Sequence, residues 1–150
     1  MKKIFLLVLC SVVVFSCSTQ KGYKSVNERD VPERYVNDLK KQRPNVEKRT
    51  WEMVDSTSYN VNFIDNGNQM RINYQKSGTQ TQWIVPSEYI PSQITDYITT
   101  NYANSKIEEV SIADFKNKKT YHAKILTKKK ESKILEFDLN GNFISEVIKK

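Results

Sequence analysis

Cysteine, glycine and histidine are scarce in this chain, and each scarcity removes a class of chemistry. There are two cysteines, four glycines and one histidine in 150 residues. No phosphate-cradling glycine loop, no Gly-x-Ser-x-Gly elbow and no His-Glu-x-x-His zinc motif can be found. A lone His122 cannot build a metal cluster, and between Tyr121 and Ala123 it falls on the wet side of an alternating strand. Glu108 and Glu109 are adjacent, so in a strand they point to opposite faces and cannot share a substrate. Asp138-Leu139-Asn140-Gly141-Asn142 opens like a calcium loop, but its twelfth position is Lys149, which cannot supply the carboxylate such a loop needs. A hairpin turn explains that segment and the position of Asp65. No catalytic pair, metal site or cofactor is expected, and the chain reads as a non-enzyme.

A long apolar run is also missing. Ile4 to Phe15 is twelve residues with Ser11 as the polar exception, too short for the roughly 20 needed to span a bilayer. Lys2 and Lys3 precede it, and Val14-Phe15-Ser16-Cys17 follows with the layout of a lipobox. The expectation is a lipoprotein signal over residues 1–16, cut before Cys17, with palmitate-type acylation of that cysteine. Ordinary secretion with cleavage near Ser16 or Ser18 is the alternative. Cys10 would leave with the signal and Cys17 would carry lipid, so the folded part would hold no thiol or disulfide. The chain would then be exported and anchored to a cell-envelope membrane, the outer membrane being expected, with its folded part in the periplasm or displayed outside.

Loss of 16 residues from 150 leaves 134, enough for one domain with its own core. Of the 24 basic residues two sit in the signal, leaving 22 against 17 acidic ones, a net charge of +5. Residues 17–30 read as a flexible, weakly basic tether with no acidic residue before Glu28. Outside the cell this charge points to acidic surfaces, and no nucleic acid partner is expected. The basic residues concentrate at Lys116, Lys118 and Lys119 and at Lys128, Lys129 and Lys130. The last three are the candidate contact for an anionic glycan or headgroup, against the plainer reading of a solvated loop. Tyr74 and Trp83 are candidate interface aromatics, although alternation makes core their default.

The chain also resembles itself. Val31-Pro32 and Tyr35 to Leu39 match Ile90-Pro91 and Ile94 to Ile98 at an offset of 59. Tyr59-Asn60-Val61-Asn62-Phe63 matches Tyr121 to Ile125 at 62, and Ile72 to Gly78 matches Leu135 to Gly141 at 63. Ile90, Ile94, Tyr97 and Ile98 form a helical stripe behind Pro91; Tyr35, Val36 and Leu39 form one between Pro32 and Pro44. Period-two runs follow: Tyr59, Val61, Phe63; Met70, Ile72, Tyr74; Trp83, Val85; Tyr121, Ala123, Ile125; Leu135, Phe137. The expected fold is α+β: two tandem copies, 31–89 and 90–150, of a helix followed by about four antiparallel strands, forming one compact domain with the helices on one sheet face.

A lipobox, two Pro-led helices and an apolar-x-Tyr/Phe-x-x-x-Gly hairpin together resemble the PepSY-like proteins, also described as beta-lactamase-inhibitor-like. The carrying residues are Ile90-Pro91, Ile94, Ile98, Lys106 to Val110, Tyr121 and Leu135-Glu136-Phe137-Asp138-Leu139-Asn140-Gly141. The first copy departs from the pattern, with Gln75 in the place of Asp138 and Pro44-Asn45-Val46 in the place of Ala103-Asn104-Ser105. The resemblance implies a small envelope lipoprotein of Bacteroidetes-type bacteria and brings no catalytic residues. The functional expectation is a binding module for a protein or peptide, inhibitor-like by analogy, with capture of an anionic glycan or headgroup as the alternative.

Overall fold

Alternation with a period of two buries one side of the central strands, from β3 to β8 among the described residues. The computed structural model describes residues 23–147. In chain order the elements are β1 (Lys24–Val26), a 3-10 turn (Glu28–Asp30), α1 (Glu33–Gln42), β2 (Glu47–Met53), β3 (Tyr59–Asp65), β4 (Asn68–Gln75) and β5 (Gly78–Ile84). A second 3-10 turn (Ser87–Tyr89) leads into α2 (Ser92–Asn101), β6 (Lys106–Phe115), β7 (Lys118–Leu126), β8 (Ser132–Phe137) and β9 (Phe143–Val147). The strands lie in sequence order in one sheet, each antiparallel to the next. Among the described residues no helix is long and apolar enough to cross a membrane.

The expected architecture of two tandem helix-plus-four-strand copies is therefore wrong. One nine-stranded sheet with two ten-residue helices makes the molecule mostly β. Five registered pairs, from Gln80↔Phe115 to Ile84↔Ser111, join β5 to β6 without a seam. The physical reason is that a free strand edge in the interior would strand a row of N–H and C=O groups, so adjacent strands merge. Part of the expected tether is ordered as well. Lys24 to Val26 pairs with Met53 to Trp51, and Glu28 accepts hydrogen bonds from Trp51 Nε1 and Arg49.

Each helix starts behind a proline, Pro32 or Pro91, whose fixed φ fits the entry to a helix. Tyr35, Val36 and Leu39 of α1 pack with Trp51, Tyr59, Val61, Phe63, Ile72 and Tyr74. Ile94 and Ile98 of α2 pack with Val85, Val110, Ala123, Ile125, Leu135 and Phe137. Register shows that both clusters share one sheet face. The directly opposed positions Phe63, Met70, Trp83, Ile112, Tyr121 and Phe137 run in one row across six strands, from the first cluster into the second. Among the described residues the other face therefore carries no helix.

Turn chemistry sets the register. Asn66-Gly67 and Lys116-Asn117 have positive φ at both central residues, the geometry of the two-residue turn that suits twisted hairpins. Gly141 has φ +84°, and a Cβ there would stand 2.9 Å from Cβ of Gln93, so the β8–β9 turn rests directly on the start of α2.

Candidate functional site

The helix-free face is built from the polar members of each alternating strand. Asn60 and Asn62 on β3 oppose Asn73 and Arg71 on β4, which in turn oppose Gln80 and Gln82 on β5. Ser111 on β6, His122 on β7 and Glu136 on β8 are opposed in one row, and Ala113 opposes Thr120. Several of these are buried without a helix above them: Ser111 is 2% exposed, Asn60 and Thr120 5%, Gln82 7%. In central strands these short side chains are covered by longer neighbours on the same face, as Arg71 reaches over Asn62 and Gln82. The shortest of them, Ser111 and Thr120, lie lowest among longer neighbours, and this polar floor is the hollow of the face.

Arg71 sits at the centre of its hydrogen bonding. Its Nε donates to Asn62 Oδ1 at 2.7 Å, and Nη1 and Nη2 donate to the two carboxylate oxygens of Glu109 at 2.8 and 2.9 Å. A longer bond of 3.3 Å runs from Nη1 to Gln82 Oε1. The fork-to-fork geometry holds both charges in fixed orientation. It bridges β4 to β6 over the intervening β5, a span that two long side chains cover. Gln80 Oε1 accepts from both Asn73 Nδ2 at 2.9 Å and Gln82 Nε2 at 3.0 Å, so the amides of three residues are locked together.

His122 lies in this hollow, half-buried. Burial pushes its imidazole below the usual histidine range, and the nearby Glu136 carboxylate works against that shift. Ser111, His122 and Glu136 are the residue types of a hydrolase triad, but the arrangement lacks access. Ser111 is 2% exposed, and Glu136 Oε2 accepts from Ser145 Oγ at 3.1 Å. Among the described residues no group of three metal-ligating side chains converges.

The candidates drawn from the sequence scatter. Cys17 lies outside the described residues. Lys128, Lys129 and Lys130 occupy the β7–β8 turn and are exposed. Lys116, Lys118 and Lys119 lie at the opposite end of the sheet, because β7 separates the two turns. The two basic loops do not combine into one field. Lys128 and Lys129 border a depression of about 290 Å³ with Asn101, Tyr102, Ser105, Thr127 and Glu131. Tyr74 offers no interface: it is 1% exposed, stacked on Tyr35 at 4.7 Å and on Trp51 at 6.0 Å, under α1. That burial and neighbouring Asp38 push its phenol well above the usual tyrosine range. Trp83 is half-buried on the helical face, packed toward the second cluster. Asp138 is spent in its own turn, accepting from the backbone N–H groups of Asn140 and Asn142 and from Asn142 Nδ2. The hydrogen bonds to Asn142 hold its carboxyl below the usual range.

Sequence reasoning passed over the Asn, Gln and Arg71 positions, reading them only as the wet half of each alternation. A run of carboxamides at the same parity on three consecutive strands was the signal present.

No protein-family model matches the chain, and no curated protein matches it in sequence. Solved structures do. A DUF2874 family protein from Bacteroides uniformis aligns with a TM-score of 0.58 at 15% identity, covering 78% of this chain and 88% of that one. A protein described as periplasmic from Bacteroides eggerthii aligns at 0.57 with 15% identity, over 78% and 88%. A BLIP-like protein from Bacteroides fragilis aligns at 0.55 with 19% identity, over 78% and 86%. What this chain shares with these proteins, at such identities, is the fold.

Proposed function

We propose that this protein is a non-enzymatic cell-envelope module that holds a protein or peptide partner in the polar hollow of its sheet. The observation that carries the reading is the preorganised hydrogen-bonding floor around Arg71, Gln80 and Gln82, placed on the face that no helix covers. Groups fixed before contact lose little conformational entropy on binding. A fold shared with a BLIP-like protein supports a protein partner, and one shared with a protein described as periplasmic supports the envelope. The lipobox ending at Cys17 supports attachment to the membrane through acyl chains, for which each buried methylene contributes about 0.8 kcal/mol.

A second reading has one observation in its favour. The depression beside Lys128 and Lys129 could seat an anionic glycan or headgroup, although Glu131 and the C-terminal end of α2 border the same space and oppose an anion.

Variants separate the two. Gln80→Arg places a long cation in the hollow at a half-buried position, whereas Lys128→Glu with Lys129→Glu reverses the turn. With folding checked by circular dichroism, saturable binding of an envelope protein should fall about tenfold or more in the first variant and hold in the second. The opposite pattern would discard the hollow as the site.

A further inference from the structure

We infer that the segment received by the hollow is an uncharged, extended stretch of polypeptide, recognised through its main-chain amides. The inference rests on reading the hollow as the docking site and adds the chemistry of what docks there.

Charge comes first. Over the middle of this face the charged side chains are matched: Arg71 with Glu109 at 2.8 Å, Lys124 with Glu108 at 2.9 Å, and Lys118 with Glu136 at 3.9 Å. Lys106 lies at the far end of β6. The bulge between Ile107 and Glu109 brings both glutamates to one side, against the expectation from their adjacency. The rest of the floor is uncharged: amides and hydroxyls at Asn60, Asn62, Asn73, Gln80, Gln82, Ser111 and Thr120, bordered by the apolar Ile64, Ile84 and Phe115. The basic excess of the chain includes the turns at the two ends of the sheet. A charged segment laid on this floor would give up its hydration without gaining an unpaired counter-charge, which is costly. A neutral one loses far less.

Geometry comes second. A carboxamide carries the donor and acceptor of a peptide group. Gln80 Oε1 already accepts two bonds, so the floor offers a main chain chiefly N–H donors, from Gln80 Nε2 and the second amide hydrogens of Asn73 and Gln82. Seven carboxamides stand on three adjacent strands, Gln69 and Gln75 at the ends of β4 among them, and Gln80 and Gln82 are held in place by their neighbours. Asn73 Oδ1 is buried with no hydrogen-bond partner, an acceptor that the network around Gln80 leaves unsatisfied. A sugar could also use such groups, but it gains most from an open aromatic platform. Phe115, on this same face, lies under Lys116, whose Nζ is 5.1 Å from the ring centroid.

The test pans a random peptide library on the full chain at low and at high salt. Enriched peptides should be close to neutral. Their affinity should change by less than about twofold with salt, because no unscreened charge is at stake. Replacing alternate main-chain amides by esters, whose carbonyls accept more weakly, should weaken them by about tenfold or more, and Gln80→Arg should abolish binding. Enrichment of acidic or basic peptides that Gln80→Arg abolishes and salt weakens would overturn this inference while leaving the docking site standing. Neutral peptides that bind Gln80→Arg as well as the parent would overturn the docking site itself. Recovery of no peptide, with or without binding of a neutral oligosaccharide, overturns the inference.

Discussion

Arg71 and Glu109 form a pair whose removal should be felt well beyond their own contact. Their side chains are 24% and 25% exposed, so deleting one leaves the other charge half-buried and unmatched. Arg71→Ala should lower unfolding free energy by about 1–3 kcal/mol, whereas Arg71→Met combined with Glu109→Leu should cost less, as measured by urea denaturation. A single variant no worse than the double would show that the pair contributes little. His122 gives a second residue-scale expectation. Its imidazole titrates near 6.5 when exposed and lower in the fold, because burial outweighs the attraction of Glu136. Between those values the unfolded chain binds more protons, so stability rises with pH. The contribution is complete above about 6.5 and is lost as pH falls toward the lower value. His122→Gln should therefore narrow the difference between urea midpoints measured at about pH 7.5 and about pH 5. An unchanged difference would show that the imidazole is not held neutral by burial.

At the scale of elements, the helices depend on few residues and the turns on fewer. Leu39 is 1% exposed at the centre of the α1 contact, so Leu39→Ala should cost about 2–5 kcal/mol, read by thermal or chemical unfolding. Gly141→Ala should also destabilise, by about 1–3 kcal/mol, since it combines a left-handed backbone with a clash at Gln93. Both helices and the strands of the period-two runs could be seen in the sequence, because Pro32, Pro91 and the apolar spacing are local signals. The organisation above them could not. Matching Val31 to Ile90 and Tyr59 to Tyr121 reports that similar elements recur, but not that β5 pairs with β6. That pairing joins Gln80 to Phe115, a long-range contact that leaves no trace in local periodicity. β1 escaped notice because Lys24-Ser25-Val26 is too short to alternate visibly. The hollow stayed hidden for a related reason. Alternation marks Asn62, Arg71 and Gln82 as facing away from the helices, and only the contacts between strands make that side a buried polar floor.

For the whole molecule, the absence of cysteine beyond position 17 in the sequence means that no disulfide would link the folded domain to the proposed anchor at Cys17. Cys17→Ala should release the protein from the membrane fraction and leave its circular dichroism unchanged. Metabolic labelling with an alkyne fatty acid should mark the parent and miss the variant, and equal labelling of both would reject the lipid anchor. The claim that matters most is that the polar hollow receives a partner. It can be tested in cells of the native host by placing a photo-crosslinking amino acid at single positions of the full chain. Gln80 and Phe115 lie on the hollow face, Lys129 on the β7–β8 turn, and Lys41 at the end of α1. Irradiation should give one discrete protein adduct from positions 80 and 115 and none from 41 or 129. Adducts from 129 or 41, with none from 80 and 115, would contradict it.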